Sequence, residues 1–294
     1  MQLEPECIGC LFNQMLRAFK LVKPDISREK VLSAQKKLME YLIELDVNDT
    51  ASPIIGKTAY GLVAETLGIK DPYYDLKKRY NKIALEFYEE AQNIANEAKD
   101  PLLKALIISA LGNTVDMAIQ DKIEFIDDMK AFSGDEFVIN DYTHFKASLE
   151  NTKHLLILGD NCGEIVFDKL LIETIQKFLP GLEIVYSVRS APVINDVTLD
   201  DAQMIGLDKI IDVIESSPTP GIDLSTSTEE FRKHFYKKGG MILSKGQGNF
   251  ESLYKLPIPQ KDVYYLLKAK CVLMERIFQV KIGDLIFKKK TRDF

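Results

Sequence analysis

Three short strings in the second half of the chain gather residues suited to phosphate and metal chemistry. They are Gly159-Asp160-Asn161-Cys162-Gly163-Glu164, Asn195-Asp196-Val197-Thr198 and Lys245-Gly246-Gln247-Gly248-Asn249. Asp160, Asn161 and Asp196 all offer oxygen donors, which suit Mg²⁺ or Mn²⁺ better than zinc. Three protein oxygens leave room for water and a substrate phosphate in an octahedral shell. Lys245 beside Gly246 and Gly248 supplies a positive charge and exposed backbone N–H groups, the features that hold a phosphate. A metal and a lysine acting on one phosphoryl group neutralise charge developing in the transition state, and the metal can activate a water. Metal-assisted hydrolysis of a phosphate ester is the reaction class. Each string also has a plainer reading. Asp-Asn-x-Gly is common strand-to-helix turn chemistry with the Asp as a cap, and the Lys245 string lacks the full nucleotide phosphate-loop signature.

The elements around these strings explain why they should meet. From residue 151 onward, short apolar runs at 154–158, 183–188, 210–214, 241–244 and 263–267 alternate with amphipathic stretches at 165–178, 200–205, 228–237 and 271–278. Buried parallel strands read as continuous apolar runs, and alternation with helices predicts a parallel sheet covered on its faces. A late run at 284–287 adds an edge strand. In such a sheet, ligands bind beyond the carboxyl ends of the strands. All three strings follow predicted strands, as do Arg189 and Lys268. Residues 1–145 read instead as helical throughout, with apolar residues at three- and four-residue intervals in 27–45, 57–67, 76–98 and 101–117. Asp100-Pro101 is a good helix opening, a capping Asp before Pro at the first helical position. The expected fold is therefore α/β: a three-layer α/β/α domain with a mostly parallel sheet over 146–294, beside an all-helical domain over 1–145.

Composition narrows the setting. The 294 residues are 46% hydrophobic and 28% charged, a globular balance for one large or two ordinary domains. Thirty-eight basic against forty-four acidic residues give a net charge of −6, without the basic surplus of a nucleic-acid binder. No apolar run reaches the ~18 residues of a membrane span. The opening MQLEPECIGC carries acids where a signal peptide needs bases, so a cytoplasmic location is expected. Cys7 and Cys10 supply only half of a structural zinc site, and no strand precedes them as a redox pair would require. They read as buried or adventitiously oxidised thiols, with Cys271 able to approach them in the fold. His144, His154 and His234 show no His-Glu-x-x-His spacing and receive no catalytic role.

The ordered set of motifs resembles the damage-control phosphatase family, metal-dependent phosphatases long catalogued as a domain of unknown function. The match rests on the three strings, the last extended through Phe250-Glu251. Weaker matches are Gly112-Asn113-Thr114-Val115-Asp116 and Asp71-Pro72-Tyr73 followed by Lys77 and Asn81. The resemblance implies a helical domain beside an α/β/α domain, with Asp160, Asn161 and Asp196 binding the cation (Mg²⁺, Mn²⁺, or another transition metal such as Co²⁺ or Ni²⁺). It implies that Lys245, Gly246, Gly248 and Asn249 contact the phosphate. Asn113 and Asp116, three apart on one helical face, would then lie over the metal in a pocket between domains. Lys268 matches a substrate-binding lysine that in some relatives follows an Arg-Thr pair, replaced here by Leu266-Leu267. Cys7-x-x-Cys10 is similar to the prokaryotic-type branch.

The expected activity is hydrolysis of small phosphate monoesters, sugar phosphates or damaged phosphometabolites, with Asp196 and Lys245 as catalytic residues. A small phosphorylated metabolite is the expected partner, without nucleic acid or membrane. The alternatives are an S-adenosylmethionine-dependent carboxyl methyltransferase, a haloacid dehalogenase-type phosphatase, and a non-enzymatic metal- or nucleotide-binding module. The turn after residue 158 lacks a Gly-x-Gly-x-Gly for the first, and Cys162 stands where the second needs an Asp.

Overall fold

The central strands are apolar at consecutive positions because both of their faces are covered. In the computed structural model, which describes residues 1, 3–46, 50–112, 122–258 and 261–291, β2 (His154–Leu158) sends Leu155 and Ile157 into one core. It sends Leu156 and Leu158 into the other. The same two-residue alternation runs through β5 (Met241–Lys245), β6 (Asp262–Lys268) and β7 (Leu285–Lys289). With β1 (Phe137–Asn140), β3 (Glu183–Val188) and β4 (Asp212–Glu215), they form one sheet in the order β1-β7-β6-β5-β2-β3-β4. All neighbours pair in parallel except β6 and β7.

Thirteen helices are present among the described residues, numbered in chain order. On one face of the sheet lie α4 (Tyr74–Glu86), α5 (Tyr88–Glu97), α6 (Pro101–Leu111), α7 (Lys122–Ala131), α8 (Tyr142–Asn151), α9 (Glu164–Phe178) and α10 (Leu199–Met204). On the other lie α11 (Glu229–Phe235), α12 (Gly246–Leu253) and α13 (Val272–Phe278). The three-layer α/β/α arrangement is thus present. The first helices, α1 (Pro5–Val22), α2 (Arg28–Glu44) and α3 (Ser52–Leu67), share a separate core around Met15, Phe19, Leu38 and Ile55. Among the described residues no helix is long and apolar enough to cross a membrane.

Local rules account for much of this. Asp100 caps α6, accepting a 3.2 Å hydrogen bond from the Leu103 N–H, with Pro101 opening the helix as expected. From Ala105 to Leu111 every residue of α6 is buried, since it is wedged between α5 and α9.

Three differences from the sequence reading have physical causes. The stretch 76–98 is two helices rather than one. They meet at Phe87, which is buried and packs edge-on against Phe125 at 5.3 Å. The segment expected to be helical throughout contains β1, too short to show alternation and polar at its exposed end. The run at 284–287 is indeed a strand, but β1 pairs outside it, so β7 is interior. Phe287 is consequently fully buried, among Phe137, Phe145 and Tyr264. Phe287→Ala is expected to destabilise the protein by about 3–5 kcal/mol, a typical cost of emptying an aromatic core position, as measured by urea denaturation.

Candidate active site at the carboxyl edge of the sheet

The chain order of the sheet reverses around β2, which has β3 on one side and β5 on the other. Such a switch point opens a crevice, because the connections leaving adjacent strands depart to opposite faces. The register pairs Leu158 with Ser244, so the loop after β2 and the start of α12 leave the sheet side by side. Contact is tight: a Cβ on Gly246, whose φ is +75°, would lie 1.9 Å from Asp160 Oδ2. At Gly248 a Cβ would meet the Pro220 carbonyl oxygen at 2.0 Å. Both glycines are needed for close approach rather than for flexibility.

The loop after β3 folds back onto the loop after β2. Asn161 and Asp196 form an antiparallel bridge, Val197 N–H donates to the Asp160 carbonyl at 2.9 Å, and Cys162 N–H donates to the Asn195 carbonyl at 2.8 Å. The Asn161 carboxamide donates to Asp160 Oδ2 at 2.6 Å. The three expected metal ligands are thereby brought together by backbone pairing. All three line one cavity of about 440 Å³, roofed by α1 and α3 through Gln14, Arg17 and Tyr60.

Behind the cavity wall lies a charged layer. Arg189, the residue after β3, is 1% exposed; its Nε donates to Asp196 Oδ2 at 2.7 Å and its Nη1 to Asn249 Oδ1 at 2.9 Å. Asn249 in turn donates to the carbonyls of Gly159 and Lys245 at 3.0 and 2.8 Å. Lys245 is completely buried, paired with Glu164 at 2.7 Å and with Asp168, and it donates to Ser109 Oγ at 2.7 Å. Tyr186 donates to the other Asp168 oxygen at 2.7 Å. Asp201, paired with Lys77 at 3.5 Å, accepts from Asn81, whose carbonyl oxygen accepts the Gly163 N–H. Asp71, Lys77 and Asn81 thus anchor the loop after β2.

Titration follows burial. Desolvation raises Asp196 above the usual carboxylate range, with Arg189 opposing. Burial pushes Glu164 up to about 7 against the pull of Lys245. Burial opposes the charge on Lys245, but Asp168 and Glu164 outweigh it and hold the ammonium above its ordinary value. Four carboxylates, Asp160, Glu164, Asp168 and Asp196, are thus buried around the β2 edge against two cations, Lys245 and Arg189. A divalent cation at the cavity face fits this excess of negative charge, and the hard oxygen donors there fit it chemically.

Of the expected substrate-binding residues, Gly248 lines the cavity, whereas Lys245, Gly246, Asn249 and Lys268 do not. Asn113 and Asp116 lie outside the described residues. The lysine that does line the cavity is Lys270, two residues beyond Lys268, and its charge acts to lower Asp196. The pair of lysines just past the apolar run, Lys268 and Lys270, was the available signal. Glu164 and Asp168, four apart on α9, were a second one. Cys7, Cys10 and Cys271 also line the cavity, and all four cysteines are free thiols.

The whole chain has relatives. The model of the damage-control phosphatase ARMT1-like domain matches residues 3–286. A damage-control phosphatase of Archaeoglobus fulgidus is 32% identical, covering 98% of this chain and 99% of its own. One of Pyrococcus horikoshii is 29% identical, with 97% of each chain covered. The crystal structure of a DUF89 family protein from Pyrococcus horikoshii superposes with a TM-score of 0.86 at 26% identity, over 99% of this chain and 100% of that one.

Two outcomes are expected from the buried network. Lys245→Met leaves Glu164 and Asp168 without their cation and should cost about 3–5 kcal/mol in chemical denaturation. Glu164 binds its proton more tightly folded than unfolded, so its contribution to stability is full below pH 4.5 and declines as pH rises to about 7. Glu164→Gln should flatten the stability profile in that window.

Proposed function

The chain belongs to the damage-control phosphatase ARMT1-like domain family and is a metal-dependent phosphatase; from that premise we propose that the cavity at the β2 edge is where it hydrolyses small phosphate monoesters. The observation that carries this reading is the convergence of Asp160, Asn161 and Asp196 on one cavity, backed by an excess of buried negative charge. At about 440 Å³ the cavity suits a sugar phosphate or a comparably small phosphometabolite rather than a phosphoprotein loop. The cation is held by Asp160, Asp196 and the carboxamide oxygen of Asn161, whose nitrogen is engaged by Asp160. Oxygen donors favour Mg²⁺ or Mn²⁺, with Co²⁺ or Ni²⁺ as possible replacements. Such an ion supplies Lewis-acid stabilisation and makes a bound water more acidic.

The protein's own residues do the rest. Arg189 fixes Asp196 through Oδ2 and opposes the rise that burial imposes on its carboxyl. That leaves Asp196 able to orient the attacking water, or take its proton, as well as to bind metal. Gly248 lets the start of α12 pack against Pro220 at the cavity wall. Lys270 and Arg17 bring positive charge to the cavity wall. Lys245, expected from sequence to touch the phosphate, acts here from behind the wall; it balances Glu164 and Asp168 and thereby sets the field at Asp160. Asn249 supports the wall rather than the substrate. A cytoplasmic location accords with four free thiols.

The test is phosphate release from a panel of sugar phosphates and a chromogenic phosphate monoester. Activity should vanish in excess chelator and return with Mg²⁺ or Mn²⁺. Asp160→Ala should abolish it without altering the circular dichroism spectrum, and Lys270→Ala should raise KM. Full turnover in chelator, or hydrolysis of phosphopeptides alone, contradicts the proposal.

A further inference from the structure

The edge of the sheet opposite the cavity carries a group that the phosphatase reading does not use. His154 begins β2 and Glu183 begins β3, and the parallel register sets them directly side by side. His234 comes from the last turn of α11, which Phe231 and Phe235, both fully buried, lock onto the sheet. One donor atom from each of the three residues lies within 4.8 Å of the others. His154 Nδ1 is 3.5 Å from Glu183 Oε1. The two imidazole rings stand 5.3 Å apart at 33°.

The state of His154 is what needs explaining. Its side chain is 3% exposed, yet neither ring nitrogen has a hydrogen-bond partner, and the buried Nδ1 of His234 has none either. A buried imidazole left unsatisfied is costly, and native cores rarely tolerate one. Two imidazoles and one carboxylate make the donor set of a borderline divalent ion.

We propose that His154, Glu183 and His234 form a second metal site, for Zn²⁺ or a similar borderline divalent cation, with a solvent water completing a tetrahedral shell. Bonds of about 2.0–2.1 Å require donors roughly 3.3 Å apart. The His154–Glu183 separation already meets that, and small rotations of the half-exposed Glu183 and of His234 supply the rest. The site selects against Mg²⁺, which prefers an octahedron of oxygens, while the cavity at the far edge prefers it. Six residues of nearly extended chain, at ~3.3 Å each, put the two sites on the order of 20 Å apart. The bound ion therefore acts as a clip between α11 and the sheet rather than in hydrolysis.

Two lysines face this site and oppose a cation. Lys237 Nζ lies 2.5 Å from Glu183 Oε2, and Lys261 Nζ donates to the His234 carbonyl at 2.9 Å. Lys237 is 42% exposed, so moving its ammonium into water costs little. Its displacement is a built-in handle on affinity.

The experiment is isothermal titration of the full chain, stripped of metal, with ZnCl₂ and separately with MgCl₂. Thermal melts and Mg²⁺-supported phosphatase activity are followed in parallel. The expected wild type takes up one equivalent of Zn²⁺ that persists in Asp160→Ala and raises Tm. His234→Ala should weaken that equivalent by tenfold or more while leaving Mg²⁺-supported turnover unchanged, which also shows that the variant folds. Lys237→Met should tighten it several-fold, an effect that packing alone would not produce. Zn²⁺ uptake that is unchanged in His234→Ala, or that is lost in Asp160→Ala or in Cys7→Ser, overturns the proposal.

Discussion

Four carboxylates buried around one strand end constrain everything near them. Asp160, Glu164, Asp168 and Asp196 can be taken from water only if opposite charge accompanies them, and the fold delivers it from two directions. Arg189 reaches Asp196 from the end of β3, and Lys245 reaches Glu164 and Asp168 from the end of β5. Both cations are themselves fully enclosed, so neither can be lost without stranding its partners. The carboxylates of Asp160 and Asp196 line the cavity.

This division separates holding from reacting. Side chains that a linear reading places at the phosphate, Lys245 and Asn249, belong to the supporting layer, and residues two positions away or on other elements reach the cavity. Asn249 joins the carbonyl of Gly159 to the guanidinium of Arg189, so the loops after β2, β3 and β5 are tied together by one carboxamide. Such cross-bracing holds the oxygens at the cavity edge in one arrangement, as a preorganised site requires. The family relationship is consistent with this economy, because the α/β/α frame and the helical roof extend over the full length of the relatives.

Part of the cavity wall comes from outside the sheet. Helices α1 and α3 keep a core of their own, yet they turn Gln14, Arg17 and Tyr60 toward the sheet edge. The cavity is therefore lined by two separately packed parts of the chain. The thiols of Cys7, Cys10 and Cys271 line the same cavity.

The sequence by itself determined the strands and their order of chemistry. Doubly buried strands must be apolar at every position, and β2, β3, β5 and β6 announced themselves for that reason. Polar residues of a buried parallel sheet gather in the loops at strand ends, so Asp160, Asn161 and Asp196 were legible as one cluster before their distances were known. Three things were decided only by tertiary structure. Whether a lysine after a strand points into a cavity or behind it depends on which carboxylates the neighbouring helix presents, and α9 captured Lys245. Four-residue β1 carries too little pattern to be seen alone; it exists because β7 offers it an open edge. His154, Glu183 and His234 lie up to eighty residues apart in the chain, and no spacing rule links them. Only the parallel register and the docking of α11 bring their donors to one point.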